Sequence, residues 1–345
     1  MVIMICPGQE DALLRVATYH RRDFDLVVIR SPPREHAPVL PFIAQPFPTA
    51  PTSTLGTLGR LPAEIMAAIC LFLDIHSCFQ FRQVSRSARI LVSGLPEYRH
   101  VAHHALEALR TVLRTRLAPH FNFRALYRLL CSTECQQCGS FGGFLFLPTA
   151  VRCCFQCLER SPQLGLLSLT HLAGASGISP ARLRRLVPVL RTIPGLYSMQ
   201  ETSRQKRLHL VPNIVACEAL KGLGIGPGKL RAAVPQSVNP GIDIVQRCMA
   251  ATAFPSLDRA SGQVEHGISC KGCQAAVEGD NAEEEDYDRR DWAYSRKGFL
   301  GHFQSCAEAQ RLWINSCAGT VAFDEPEFTR RGGFLNELDS QGHPR

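Results

Sequence analysis

Residues 61–91 read LPAEIMAAICLFLDIHSCFQFRQVSRSARIL, and this stretch predicts three short helices in succession. Pro62 suits the first turn of a helix, because proline lacks the N–H that a first-turn residue leaves unbonded anyway. Asp74 and Ser85 can cap the second and third helices. Apolar side chains recur in the first helix at steps of three and four, which makes one apolar stripe: Leu61, Ile65, Ile69, Phe72 and Leu73.

A helical unit of this size is too small to close a core of its own. Domains below ~40 residues usually need outside help to be stable. We therefore expect the unit to bury its spare apolar side against a partner. The alternative is an ordinary packing unit inside a larger helical domain.

The stretch resembles an F-box in three sequence elements. These are Leu61-Pro62-Ala63-Glu64-Ile65, then Ile69 to Leu73, then Arg82-Gln83-Val84-Ser85-Arg86. They occur in the order and at the spacing of that motif. The chain departs from it after the last element, where Ala88 and Arg89 stand in place of a common Trp.

The resemblance implies an adaptor. An F-box docks on the Skp adaptor of a cullin-RING (SCF-type) ubiquitin ligase, and the rest of the chain recruits a protein substrate, whose identity stays unknown. In docking of this kind, the apolar side chains of a helix bind in a hydrophobic groove of the partner. The side chains that would supply it are Leu61, Pro62, Ile65, Ile69, Leu73, Phe79 and Val84.

Composition narrows the class of protein further. The 345 residues suffice for two ordinary domains. No apolar run approaches the ~18 residues of a transmembrane helix, and the first residues lack the features of a signal peptide. We expect a chain of the cytoplasm, the nucleus or both, without a membrane partner. The formal charge of +8 permits nucleic-acid contact without demanding it, since the arginines are dispersed.

Cysteine usage points to metal. If the 15 cysteines were placed at random, about 0.6 Cys-x-x-Cys pairs would be expected. In a reducing compartment such pairs bind metal more often than they form disulfides. The chain has three, and two of them form one predicted four-cysteine structural zinc site. Cys131 and Cys153 are alternative ligands. The predicted ligands are Cys135, Cys138, Cys154 and Cys157.

The same segment is similar to one that follows the F-box in many fungal F-box proteins. The likeness comprises Cys135 to Gly139, the apolar run from Phe144 to Leu147, Pro148-Thr149, Arg152 and Cys154 to Leu158. With the F-box-like stretch, it covers residues 55–160. The sequence thereby resembles a fungal F-box protein.

The third cysteine pair predicts a second zinc site that resembles a C2HC finger with an enlarged, acidic loop. His302 and Cys306 are four apart on an expected helix over 294–314 and so share a face. His266, Cys248 and Cys317 are alternative ligands. The predicted set is Cys270, Cys273, His302 and Cys306.

Together these features predict a mainly α fold, in which a three-helix F-box precedes a mostly helical region with two small zinc sites. The predicted divisions are a disordered leader and Pro-rich linker (1–53), the F-box (54–100), helices with a zinc knuckle (101–165), a helical middle region (166–260), the finger-like segment (261–316) and a disordered tail (317–345).

Two other functions compete with the adaptor. Residues 167–192 are near a helix-turn-helix pattern with several arginines, which would suit a nucleic-acid-binding zinc protein. Pro180 and Pro188 argue against a long recognition helix, so nucleic acid is not the expected partner. A zinc enzyme would require a second site with only three protein ligands. We find no nucleophile–base constellation or cofactor fingerprint and expect no enzyme.

Overall fold

The computed structural model describes residues 8–44, 54–233, 240–279 and 281–333. Most of the regular structure in these residues is helical, as the sequence predicts. In the described part of the chain, five small sheets of two or three strands join the helices, which the prediction of a mainly α fold did not include. Within the described ranges, no helix has the length and apolar character needed to cross a bilayer.

Residues 8–44 are folded, where the sequence favoured a disordered leader. Leu13 and Ala17 are fully buried, and Val28 and Ile29 enter the largest core. The apolar residues of this segment find partners more than 200 residues away, which local pattern cannot reveal. The elements are α1 (Glu10–Ala17), β1 (Thr18–Tyr19), α2 (Arg22–Leu26), α3 (Pro33–His36) and α4 (Leu40–Ala44). Residues 1–7 of the predicted leader and residues 45–53 of the predicted linker lie outside the described residues.

The three predicted helices of the opening stretch are present, and a fourth follows them. The caps form as expected: the Asp74 carboxylate accepts from the Ser77 N–H at 2.9 Å, and the Ser85 hydroxyl accepts from the Ala88 N–H at 3.1 Å. A 3-10 turn over Gly56–Arg60 precedes them. The helices are α5 (Ala63–Phe72), α6 (Ile75–Val84), α7 (Arg86–Gly94) and α8 (Pro96–His104).

The chain changes direction at Ala105, within the region for which the sequence predicts helices. This residue has φ −130° and ψ 37°, outside the helical region. It separates α8 from α9 (Leu106–Arg114), and a 3-10 turn leads to α10 (Phe123–Leu130). The bend lets both α9 and α10 bury apolar faces in the largest core.

The first cysteine segment is built around a three-stranded antiparallel sheet. Its elements are β2 (Phe144–Phe146), β3 (Val151–Cys153), α11 (Phe155–Arg160) and a distant third strand, β9 (Ala251–Ala253), with β2 in the centre. Arg152 on β3 is fully buried, and its guanidinium donates to the carbonyls of Leu129, Gly142, Phe254 and Pro255. These bonds satisfy backbone acceptors that would otherwise be buried without partners.

Residues 166–260 contain strands as well as the predicted helices. Three strands form an antiparallel sheet in the order β4-β8-β5, and β6 pairs with β7 in a hairpin. Neither is visible in the hydrophobic pattern, because the strands are only two to four residues long. The elements are β4 (Leu166–Ser168), α12 (Leu169–Ser176), α13 (Pro180–Leu186), β5 (Leu190–Arg191), β6 (Gly195–Tyr197), β7 (Thr202–Arg204), β8 (His209–Pro212), α14 (Asn213–Gly222), α15 (Pro227–Ala233) and α16 (Pro240–Cys248).

The last part of the chain surrounds the second cysteine pair. The expected helix over 294–314 is two helices, because Gln304 to Cys306 leave the helical path. Residues 317–333, predicted as disordered, pack on the leader; residues 334–345 lie outside the described part. The elements are β10 (Ser256–Leu257), β11 (Val264–Glu265), β12 (Ser269–Cys270), α17 (Lys271–Glu278), α18 (Glu284–Arg290), α19 (Arg296–Phe303), α20 (Ala307–Asn315) and α21 (Glu327–Arg330).

The buried apolar residues form three groups. The largest joins α2, α4 to α11, α16 and the β2-containing sheet. A second group lies between α1, α17, α19 and α20. A third group belongs to residues 167–233 alone. The two small groups contain about ten fully buried residues each, so they gain from additional fastening by metal or by neighbouring elements.

Candidate docking face and metal centres

A row of apolar side chains on α5 and its flanks faces solvent. Leu61 is 40 % exposed, Ile65 48 % and Ile69 40 %. Phe72, near the end of α5, and Val84, at the end of α6, are about three-quarters exposed, and these five residues are called the exposed row. Several large apolar side chains this exposed in one short segment are unusual on a monomer and mark an interaction surface.

The opposite face of α5 holds the helix in place. Met66, Cys70 and Leu71 are buried, and Ile75 and Cys78 of α6 are completely inaccessible. The outward row is therefore presented on a fixed support. Because the inward positions already fill the core, the exposed row cannot turn inward to cover itself.

The seven predicted docking residues divide into two groups. Pro62 is exposed with the row, whereas Leu73 and Phe79 are only partly accessible and pack on the largest core. The Phe79 ring lies 6.1 Å from the rings of Tyr98 and Phe123. In this structure Leu73 and Phe79 support the docking face from behind.

Cys135, Cys138, Cys154 and Cys157 converge in the first cluster. Their sulfur atoms all lie within 4.8 Å of one another. The first pair sits on a turn closed by a hydrogen bond from the Gly139 N–H to the Cys135 carbonyl at 2.8 Å. Gly139 has φ +79°, a conformation that glycine adopts without the steric cost of a Cβ atom.

Cys270, Cys273, His302 and Cys306 converge in the second cluster by the same criterion. The His302 Nε2 atom lies 3.4 Å from the Cys273 sulfur. His302 is near the end of α19, and Cys306 is the N-cap of α20. The two ligands meet because the chain bends between these helices.

The sulfur spacings fit a tetrahedral ion. Four Zn–S bonds of about 2.3 Å place neighbouring sulfurs about 3.8 Å apart, whereas a disulfide brings them to about 2.05 Å. Cys138 and Cys154 sulfurs are 3.7 Å apart. The Cys306 sulfur lies 3.8 Å from that of Cys270 and 3.9 Å from that of Cys273. Each cluster could hold a metal ion without rearrangement.

The pairs Cys154/Cys157 and Cys270/Cys273 have the same local structure, in which the first cysteine caps a helix. Cys154 is the N-cap of α11 and Cys270 the N-cap of α17, and each sulfur accepts from the N–H three residues later at 3.4 Å. Helix N-termini favour negative charge, so this position suits a cysteine that binds a metal ion as a thiolate.

Hydrogen bonding also sets the charge within the clusters. A side-chain hydrogen bond with Cys154 lowers the pKa of Cys135 to about 4. Hydrogen bonds with Cys270 and Cys273 lower the pKa of Cys306 strongly. Metal ions bind the thiolate form of cysteine, so a bound metal ion would displace the protons of these thiols.

His302 is oriented by Tyr294, a residue that the sequence did not single out. The Tyr294 hydroxyl lies 3.1 Å from the His302 Nδ1 atom, and the two rings stack with centroids 4.6 Å apart. Fixing one ring nitrogen in this way leaves Nε2 directed at the cysteines, as metal-binding histidines require.

None of the alternative ligands lies in a cluster found among the described residues. Cys153 is buried on β3, and Cys131 and Cys317 lie elsewhere. His266 is next to His20, with ring centroids 6.3 Å apart. Cys248 is buried in the largest core.

Comparison with protein families identifies one region. The model of the F-box domain matches residues 58–100. These residues are an F-box domain. No curated protein and no solved structure matches the chain.

The F-box domain thus comprises α5, α6, α7 and most of α8. It supports a role as an F-box adaptor of SCF ubiquitin ligases in general, including binding to the Skp adaptor. The exposed apolar row lies entirely within it. Phe72 of this row and Leu58, which precedes it in the chain, are absent from the predicted docking set and have exposures of 74 % and 43 %. The helical period that selects Ile65 and Ile69 also selects Phe72.

Proposed function

We propose that this chain is a substrate-recruiting adaptor that docks through its F-box on the Skp adaptor of a cullin-RING ubiquitin ligase. The observation that carries the proposal is the exposed row of Leu61, Ile65, Ile69, Phe72 and Val84 within the F-box domain. A row of this kind needs an apolar groove in a partner to be covered.

The row is large enough to supply a useful binding energy. Fully burying a Leu, Ile or Phe side chain contributes about 1.5–3 kcal/mol relative to leaving it exposed. Side chains that are already half covered contribute about half of this. Five such residues give a gross contribution of several kcal/mol, from which association subtracts the loss of translational and rotational freedom.

We propose zinc as the ion of both clusters. Sets of four thiolates, or three thiolates and one imidazole, are donor sets that zinc prefers, and the sulfur spacings fit its tetrahedron. Four protein ligands leave no coordination position for water or substrate, so these would be structural sites. The proposal therefore gives this chain no chemistry of its own and no zinc-enzyme role.

The clusters would serve the adaptor by fastening the region outside the F-box, to which we assign recruitment of a protein substrate. The second cluster joins chain segments that share a small apolar core, and the first cluster fastens its two cysteine pairs at the edge of the largest core. Metal binding adds free energy to folding where a small core cannot supply enough.

Co-expression with the Skp adaptor tests the proposal. We expect the wild-type chain to elute with the Skp adaptor in one size-exclusion peak, and the Ile65→Asp, Ile69→Asp variant to elute without it. Ile69 is a better target than the half-buried Leu73, because a charge at Leu73 would also disturb the core. Co-elution of the variant would reject the docking face.

A matched control separates docking from folding. Ile314 and Val321 are exposed apolar residues outside the F-box, at 57 % and 54 %. The Ile314→Asp, Val321→Asp variant carries the same change of charge and should keep the Skp adaptor. Far-ultraviolet circular dichroism should be equal for both variants.

A further inference from the structure

The positive charge of the chain is concentrated in one segment. Residues 166–233 contain ten lysines and arginines but only two acidic residues, Glu201 and Glu218, which gives +8. The whole chain has a formal charge of +8, so the remaining residues sum to zero. The even dispersion of arginines inferred from sequence therefore hides a strongly basic unit.

This segment folds around its own core as a helix-turn-helix with a small sheet. Helices α12 and α13 are joined through Gly177, which has φ +72°. Leu172 and Leu183 pack the two helices together in the third apolar group. α13 turns its other side to solvent, where Arg182, Arg184 and Arg185 are all exposed.

A second row of basic side chains lies on the hairpin formed by β6 and β7 and the chain after it. Arg204, Lys206 and Arg207 are exposed there. The Arg207 guanidinium donates to the Thr192 carbonyl at 3.1 Å, and the Leu208 N–H donates to the Thr192 hydroxyl at 2.7 Å. These bonds fasten the end of the hairpin to the end of β5.

The arginines of several elements surround His209. Arg191 of β5 is paired with His209 of β8 in the sheet register. Burial lowers the pKa of His209, and the positive charges of Arg184, Arg191 and Arg116 lower it further. Arginines from α13, β5 and the end of α9 are therefore close to one another on this side of the unit.

These arginines are not neutralised by carboxylates. Arg182, Arg184, Arg185, Arg191, Arg204 and Arg207 form no ion pair with any described residue, whereas arginines elsewhere pair closely, as Arg21 does with Asp23 and Arg247 with Asp243. Clustered arginines without counter-charges repel one another and attract a polyanion.

We propose that residues 166–233 bind double-stranded DNA through its phosphates, without reading sequence. In a helix-turn-helix the second helix lies in the major groove, which in B-form DNA is wide enough for a helix. α13 is only seven residues long, and its three charged side chains are arginines, which can bind phosphates without reading bases. Arginines on α13 and on the hairpin would contact phosphates on either side.

Other nucleic acids fit less well. Proteins that bind single strands stack bases on exposed aromatic rings, and the one aromatic residue of this segment, Tyr197, is buried. A-form RNA has a deep and narrow major groove that a helix cannot enter. The surface therefore favours duplex DNA.

Fluorescence anisotropy with the full chain and a labelled 20-base-pair duplex tests this site. We expect a dissociation constant of roughly 1–100 μM near physiological salt, with little dependence on sequence. Arg184→Glu with Arg185→Glu should weaken binding at least tenfold. A plot of log affinity against log salt concentration has a negative slope, and removing two phosphate contacts should make it less steep by about 1.8.

The controls make each outcome decisive. Lys297→Glu with Arg330→Glu changes the charge equally outside the segment and should bind duplex like the wild-type chain. Equal weakening by both double variants would reduce the effect to net charge and reject the site. Tighter binding to single-stranded RNA, or to a phosphorylated peptide, than to the duplex would also reject it. The F-box variant Ile65→Asp, Ile69→Asp should keep duplex binding, so this inference and the adaptor proposal fail separately.

Discussion

Thr18 lies opposite Cys270 in an antiparallel strand pair that joins the beginning of the chain to its second metal cluster. Tyr19 pairs with Ser269 in the same ladder. α1 packs beside this ladder, against α17 and α20. The segment that the sequence marked as a leader is therefore part of the wall of the cluster.

Leu13→Ala should destabilise the second cluster and its surroundings. Leu13 is completely buried in the core that includes Cys270 and Cys273, and truncating such a residue costs about 2–5 kcal/mol. Thermal unfolding should occur at lower temperature, and a chromophoric chelator should remove metal faster. Glu10→Ala, at an exposed position of the same helix, is the control and should change stability by less than about 0.5 kcal/mol. Equal behaviour of the two variants would mean that α1 is not packed.

Gly272→Ala should disturb the second cluster, because a Cβ atom at this position would lie 2.2 Å from the Ala309 backbone nitrogen. Gly272 separates Cys270 from Cys273, and Ala309 follows Cys306 on α20, so moving α20 displaces a ligand. Gly301→Ala on α19 is the matched control, since a Cβ atom there meets nothing within 4 Å. Elemental analysis should show a loss of metal in the first variant alone. Full metal content in Gly272→Ala would contradict the close approach of the two helices.

Metal analysis of cysteine variants should resolve the two clusters. We expect two zinc ions per wild-type chain, and one in Cys135→Ser, Cys138→Ser and in Cys270→Ser, Cys273→Ser, because each variant removes two ligands of one site. Cys131→Ser with Cys317→Ser is the control, since neither residue belongs to a cluster. A metal-free wild-type chain, purified without chelator, would reject both sites.

His20 should make stability depend on pH. A side-chain hydrogen bond with Asp25, at 2.9 Å, raises the pKa of His20 above 6.5, against the opposing effects of burial and of Arg22. Its contribution is therefore fully present below pH 6.5 and is lost as the pH rises through the higher folded-state pKa. The pair is partly exposed, which limits this contribution to under about 1 kcal/mol.

Unfolding of the wild-type chain and of His20→Gln, measured from pH 5.5 to 9, checks this sign. The difference in stability between the two should be largest at acidic pH and smallest at alkaline pH. His266, the nearest histidine, remains in both proteins, and its pKa is lowered mainly by burial and further by the charge of His20. A difference that grows with pH would contradict the raised pKa of His20.

The pattern of residues close together in sequence predicted much of the docking face and of the two cysteine clusters. The period of α5, the caps at Asp74 and Ser85 and the paired cysteines are all encoded within a few residues of one another. The remaining features depend on contacts between distant residues. β2 is completed by β9, about 105 residues later, and Thr18 pairs with a residue 252 positions away. No local period carries that information.

In the second cluster, too, the local sequence pattern predicted the ligands but not how they meet. The spacing of His302 and Cys306 suggested a shared helical face, and the structure instead brings them together across a bend. The ligands were named from residue type and spacing, and the geometry that unites them depends on Gly272, Tyr294 and α1. Tertiary packing therefore decides how the ligands meet.

Calorimetric titration of the Skp adaptor into the purified chain tests the docking face most directly. We predict saturable binding with one Skp adaptor per chain, at least 100-fold weaker in Ile65→Asp, Ile69→Asp and unchanged in Ile314→Asp, Val321→Asp. Such a ratio corresponds to about 2.7 kcal/mol, in the range expected for two buried aliphatic anchors. No binding by the folded wild-type chain, or equal affinity of the wild-type chain and the F-box variant, would contradict the adaptor function.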